Sequence, residues 1–218
     1  LYDITLDGTN NDFATVNADG ANITLVDGLD GMTLGNVDAS GALDVDAAGT
    51  ISLAGAIESD TLSLTSGGSI TQTNTSTMTV NNGPAVLDAA NNLTLAQGND
   101  FGSAELTLGN AQNPSNFTID APITVTGGLY IVGVDVTVDA ALTAGQDNDI
   151  VISASENFIN NVGANVLNVS GDGRWLVYAG LARGNTYNNL DSQNVAIWNE
   201  DYDSLSPTAL KAAFEGNR

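Results

Sequence analysis

Carboxylates are the only abundant reactive side chains in this chain. Of its 218 residues 26 are Asp or Glu and 4 are Lys or Arg, with no His and no Cys. Without an imidazole or a thiol, neither a Ser–His nor a Cys–His nucleophile can be assembled. Paired carboxylates remain, and a glycoside hydrolase needs little more as acid and base. Asp44 with Asp46, and Asp147 with Asp149, stand two residues apart, so each pair shares one side of a strand or turn. In so acidic a chain the ordinary reading of such pairs is solvated surface. No catalytic residue is assigned, and the chain is read as a non-enzyme.

The same oxygens suit a hard cation such as Ca²⁺. They occur in the loop Asp27-Gly28-Leu29-Asp30-Gly31, at Asp147 and Asp149, and in the tail at Glu200, Asp201 and Asp203. None of these matches an EF-hand loop or the nonapeptide Gly-Gly-x-Gly-x-Asp repeat. Asp147 and Asp149 are the candidate metal ligands, with Ca²⁺ the candidate ion; no other cofactor is expected. A third pattern is the alternation of Thr71, Thr73, Thr75, Thr77 and Thr79, which would line five hydroxyls along one extended run. Ice-binding solenoids repeat such a row on successive coils. No comparable run occurs elsewhere, so an exposed β-prone strand is the plainer reading.

Charge excludes whole classes of partner. From Leu1 to Gly173 there is no Lys or Arg, and the formal net charge of the chain is −22. Phosphate backbones and anionic lipid surfaces are held by cations, so nucleic acid and membrane are not expected partners. A β-helical polysaccharide lyase would lack its basic residue in the same region. No apolar run is long enough to span a bilayer, and Leu1-Tyr2-Asp3 does not read as a signal peptide. The chain is expected to begin inside a longer precursor.

The elements that must position these residues are short. From Asn22 to Val80 an apolar–polar–apolar phrase recurs, in Ile23-Thr24-Leu25, Met32-Thr33-Leu34, Leu43-Asp44-Val45, Ile51-Ser52-Leu53, Leu62-Ser63-Leu64 and Met78-Thr79-Val80. The first five phrases start 9, 11, 8 and 11 residues apart. The pattern persists through Leu93-Thr94-Leu95, Leu106-Thr107-Leu108 and Phe117-Thr118-Ile119 to Val169. Period-2 alternation broken by Gly, Asn and Asp predicts short half-buried strands. Phrases this short, with turns of varying length, favour a parallel β-helix over a sandwich. The expectation is an all-β, right-handed parallel β-helix over residues 1–173, with about eight coils of roughly 20 residues each. Asp27-Gly28, Asp30-Gly31, Asn81-Asn82-Gly83 and Thr126-Gly127-Gly128 are expected corners with left-handed or otherwise unusual backbone angles.

Residues 174–218 differ in kind. They hold all the basic residues and half of the aromatic ones. Ser206-Pro207 followed by Thr208 to Phe214 and Gly216 predicts a short capped helix. This segment is expected to close the solenoid or link it to a following domain. Arg174, Trp175, Tyr178, Trp198 and Tyr202 are the candidate cap or interface residues, because large rings can cover an open sheet edge.

Gly173-Arg174-Trp175-Leu176-Val177-Tyr178, following phrases such as Gly49-Thr50-Ile51-Ser52-Leu53, Gly68-Ser69-Ile70-Thr71-Gln72 and Asn91-Asn92-Leu93-Thr94-Leu95, resembles the end of the β-helical region in filamentous-haemagglutinin-like exoproteins of Gram-negative bacteria. The resemblance covers essentially the whole chain. It implies a right-handed β-helix, secretion through a dedicated outer-membrane transporter to the cell exterior, and a role in adhesion, aggregation or biofilm. The amino-terminal secretion domain of that family, with its Asn-Pro motifs, has no counterpart here; Asn113-Pro114 is the one such pair and lies within a repeat. The chain is accordingly read as a stalk segment of a secreted surface adhesin, with a glycan or protein of a host or neighbouring cell as partner. A polysaccharide-binding or polysaccharide-degrading protein is the first alternative. A filament subunit that stacks end to end is the second.

Overall fold

The computed structural model describes residues 1–96, 99–102, 105–109, 116–192, 197, 201, 204–209 and 216–217. Through them the chain winds as an all-β solenoid of parallel strands. Each coil has three faces. On the first face successive rungs begin at Ile4, Ile23, Leu43, Leu62, Ala85, Leu106, Leu129, Ile150 and Trp175, each aligned with the next. Those eight steps are the eight coils the phrases predict. The second face stacks Met32, Ile51, Ile70, Leu93, Phe117, Val136 and Phe158. The third aligns Val37 with Ile57 and Met78, and further on Asn99 with Ile123, Leu142 and Leu167.

The faces explain the uneven phrase spacing. Ile23, Leu43 and Leu62 belong to the first face, whereas Met32 and Ile51 belong to the second. Any two neighbouring intervals among 9, 11, 8 and 11 therefore make one coil of 19 or 20 residues. The third face was largely hidden in the sequence. Its inward residues include Ala39, Ser59 and Asn99, all buried yet too small or too polar to mark a hydrophobic phrase.

Alternation puts both apolar residues of a phrase inside. Leu25, Leu34, Val45, Leu53 and Leu64 are fully buried, and one aliphatic cluster runs from Ile23 to Trp175. Each coil alone could not cover its apolar side; stacking buries it at about 25 cal/mol per Å² removed from water. Three phenylalanines, Phe101, Phe117 and Phe158, fill the core of the later coils. One polar cluster interrupts it. Gln72 donates from Nε2 to Asn99 Oδ1 (2.8 Å) and Asn99 Nδ2 donates back to Gln72 Oε1 (3.0 Å), while the Met78 backbone N–H donates to Asn99 Oδ1 (2.9 Å). Buried amides are tolerable here because each finds partners.

The left-handed angle that was one expectation for the corner glycines is absent from them. Gly28, Gly31, Gly83 and Gly128 do not have positive φ; that conformation belongs to Gly102, Gly109, Gly163, Gly171, Gly184 and Gly216. A Cβ on Gly28 would collide with the Thr9 carbonyl of the neighbouring coil, and one on Gly31 with that of Thr50. Close stacking of coil on coil, not a left-handed bend, excludes a side chain at those two corners. Elsewhere the chain turns without a break. Met32–Ala47 is one strand that rounds two corners, with a register shift between Ala39 and Ala42.

At the far end the Arg174 to Tyr178 phrase is itself a rung. Trp175–Ala179 pairs in parallel with Ile150–Ala154, and Trp175 closes the core at 6% exposure. In the body a rung's leading N–H donates to a carbonyl of the next coil, as Ile150 does to Arg174 (2.8 Å). Side-chain oxygens take that place at two late rungs: Asn217 Oδ1 accepts from Trp175 N (2.9 Å) and Asn185 Oδ1 from Phe158 N (2.7 Å), the latter beside a parallel bridge of Ile159 to Thr186. Leu205 and Ile197 pack on the outer side of the first face against Leu176, Val151 and Tyr178. Of the expected helix, 207–209 is helical; the rest, to Phe214, lies outside the described residues.

Candidate functional site

Asp147 and Asp149 lie at the corner leading into the Ile150 rung. Asp147, in the left-handed region at φ 64°, accepts from Asp172 N through Oδ1 (2.8 Å). Asp149 accepts from Arg174 N through Oδ1 (2.8 Å), and its Oδ2 pairs with Arg174 Nη2 at 3.2 Å. Both carboxylates thus bind the next coil, and Asp149 spends its second oxygen on a cation of the chain itself. Arg174 is buried, reaching Pro207 O (3.4 Å) with the same nitrogen. It thereby ties corner to tail.

The other acidic candidates sort by side of the strand. Asp44 and Asp46 project outward from the first face and are exposed, level with Ser63 and Thr65 of the next coil. Asp27 is buried, with backbone donors Phe13 N (3.0 Å), Leu29 N and Asp30 N (both 3.3 Å). An Asp-Gly turn looks like surface in the sequence, but here its carboxylate plugs a corner. Among the described residues no group of three or more acidic side chains is placed to hold a metal ion. Glu200 and Asp203, with the candidate cap residues Trp198 and Tyr202, lie outside the described residues. Tyr178 is described: its hydroxyl donates to Leu205 O (2.9 Å).

One acidic pair escaped the sequence reading. Asp120 and Asp139 follow aligned second-face rungs, Phe117–Thr118–Ile119 and Val136–Thr137–Val138, and so stand one above the other. Desolvation, the neighbouring charge of Asp139 and a hydrogen bond to it raise the Asp120 carboxyl above its ordinary pKa. Asn161 of the next coil donates to Asp139 Oδ1 (2.7 Å). The signal was present at the coil period, 19 residues from Asp120 to Asp139, but not at the spacing of a local motif.

The threonines rearrange most. Thr71 through Thr79 do not form one extended row, because residues 73–76 turn, with Gln72 and Ser76 inward. The row runs across the coils instead. Thr15, Thr33, Ser52, Thr71, Thr94, Thr118 and Thr137 are aligned one per coil along the outside of the second face. Stacked coils are about 4.8 Å apart, so this is a column of hydroxyls at that repeat. The corresponding third-face column begins Asp19, Asp38, Glu58.

A family model described as repeats of unknown function (DUF5649) matches residues 20–60 and 54–105. The matched stretch contains the coils that begin at Ile23, Leu43, Leu62 and Ala85. No curated protein and no solved structure gives a significant match. Among the described residues no helix is long and apolar enough to cross a membrane. The chain is a β-solenoid similar, over residues 20–105, to a repeat family whose function is unknown.

Proposed function

We propose that the chain is a stiff structural segment of a secreted bacterial surface adhesin or extracellular filament. The observation that carries this reading is the register, continuous on the first face from Ile4 to Trp175. Each coil is clamped to the next by backbone bonds and by corner side chains such as Asn36, whose Oδ1 accepts from Ala56 N (3.0 Å). Such a rod holds whatever it displays at a fixed distance, and its outward residues are free to vary. The Gly173 to Tyr178 phrase supports the likeness to filamentous-haemagglutinin-like exoproteins, and with it placement outside a Gram-negative outer membrane. A glycan or protein on a host or neighbouring cell is the partner proposed.

Attachment of chain-coated beads to immobilised bacterial and host-cell surfaces tests this, with polysaccharide turnover followed in parallel. Attachment without turnover is expected. Turnover that disappears in Asp44→Asn or Asp147→Asn would overturn the reading in favour of a glycan-degrading enzyme.

A further inference from the structure

The second face carries an uncharged patch in an otherwise densely acidic protein. Its outward residues are Thr50 and Ser52 on one rung, Ser69 and Thr71 on the next, Asn92 and Thr94 on the third. Thr33 extends the column by one coil, flanked by Gly31 and Gly35. Backbone bonds between coils hold the rows level, as Ile51 N does to Ser69 O (2.9 Å) and Thr73 N to Leu53 O (2.9 Å). The patch is therefore a small rigid grid: one column of outward hydroxyls, Thr33, Ser52, Thr71 and Thr94, about 4.8 Å apart along the solenoid, and beside it, about 6.6–6.8 Å away along each strand, a column in which the Thr50 and Ser69 hydroxyls accept from Ser69 N and Asn92 N of the next coil (both 3.4 Å). Charge returns at its border, with Asp120 on the Phe117 rung and Asp135 and Asp139 on the next.

We propose that this second-face grid binds the surface of ice. A rigid periodic array of weak hydrogen-bonding groups gains from repetition only when its partner repeats as rigidly. A soluble, flexible chain would lose its own freedom at each rung and gain little. Absence of charge within the grid fits an uncharged lattice, since a carboxylate would have to shed bound water to lie against it. Crystalline polysaccharide is the competing rigid lattice. Aromatic side chains offer a sugar ring a broad apolar platform, and the grid presents none; each threonine offers instead a hydroxyl beside a methyl group, which water in an ordered lattice can meet. The inference rests on this face alone and not on the adhesin reading, so the two can fail separately.

Slow growth of ice from a dilute solution of the full chain tests it. The protein should be at least tenfold enriched in the ice fraction over the double variant Thr71→Lys/Thr94→Lys, and it should slow recrystallisation where the variant does not. Ser63→Lys, on the first face, should partition like the native chain. Circular dichroism and the melting midpoint show whether each variant folds; if the double variant does not, Ser52→Tyr alone replaces it, with the same expected loss. Exclusion of the native chain from ice as complete as that of the variant would overturn the proposal. So would equal loss in Ser63→Lys, or retention on crystalline cellulose or chitin together with exclusion from ice.

Discussion

The second and third faces are built on one core and differ in what they show to solvent. Beneath the second lie Leu34 and Leu53, beneath the third Val37 and Ile57, all buried. Outside, the second presents Thr33, Ser52 and Thr71 in register, and the third Asp19, Asp38 and Glu58. Like charges stacked between neighbouring strands repel, whereas stacked hydroxyls do not. The solenoid accepts both because its stability comes from the inward residues and the backbone between coils. Its outward columns are thus free to carry chemistry, and an uncharged patch from Thr33 to Thr94 in so acidic a chain is a choice the fold did not impose.

That contrast is sharpest against the core itself. Leu53→Ala and Ile57→Ala should each lower unfolding stability by about 2–5 kcal/mol, because each leaves a cavity between coils. Similar losses in chemical denaturation would confirm that the two faces share one core; a loss under one face alone would break the comparison. Next in size is Gln72→Ala, which deprives buried Asn99 of its partner amide and should cost about 1–3 kcal/mol. Asn99 keeps the Met78 N–H as a donor, so the loss should fall below that of the leucine.

Outward substitutions should act weakly and, on the third face, through charge. Asp38→Asn relieves repulsion with Asp19 and Glu58 and should stabilise the fold by at most about 1 kcal/mol. That gain should shrink in high salt, where exposed charges are screened. Ser52→Ala should leave stability within about 0.5 kcal/mol at any ionic strength. Asp120 gives a test by pH. Its pKa is raised in the fold, so its ionised form is a burden at neutral pH, and stability is regained as pH falls through the folded value, fully so below the ordinary 3.8. Asp120→Asn should therefore be more stable than native protein at neutral pH, with the difference closing as the solution is acidified toward and past that value. A difference independent of pH would contradict the pairing with Asp139.

Much of this architecture is legible in the sequence, because a three-residue phrase with both apolar residues inward leaves a period-2 trace at nearly every rung. What stayed hidden has identifiable causes. Residues such as Ala39, Ser59 and Asn99 face inward without a hydrophobic signature, so the third face was not separable from the turns. Asp27 carries its partners in the backbone, invisible to side-chain patterns. The column of Thr33, Ser52, Thr71 and Thr94 appears only once coil lengths are known, since inserted loop residues change the spacing from 19 to 23. The local run Thr71 to Thr79 was conspicuous by comparison, and the turn at residues 73–76, closed by Ser76 N on Thr73 O, breaks it. Candidate ligands Asp147 and Asp149 likewise looked paired along the chain, while their partners, Asp172 and Arg174, are one coil away.

The solenoid and its outward columns require parallel coils in fixed register, and spin-label distances can measure that register. Because the chain has no Cys, labels at Thr33→Cys and Thr137→Cys would be unique. Those positions are five rungs apart on the second face. At the usual spacing they should give one narrow distance distribution centred on about 24 Å between backbones, broadened only by the label tethers. A broad distribution, or a mean far from five rungs, would contradict the solenoid and with it the hydroxyl column.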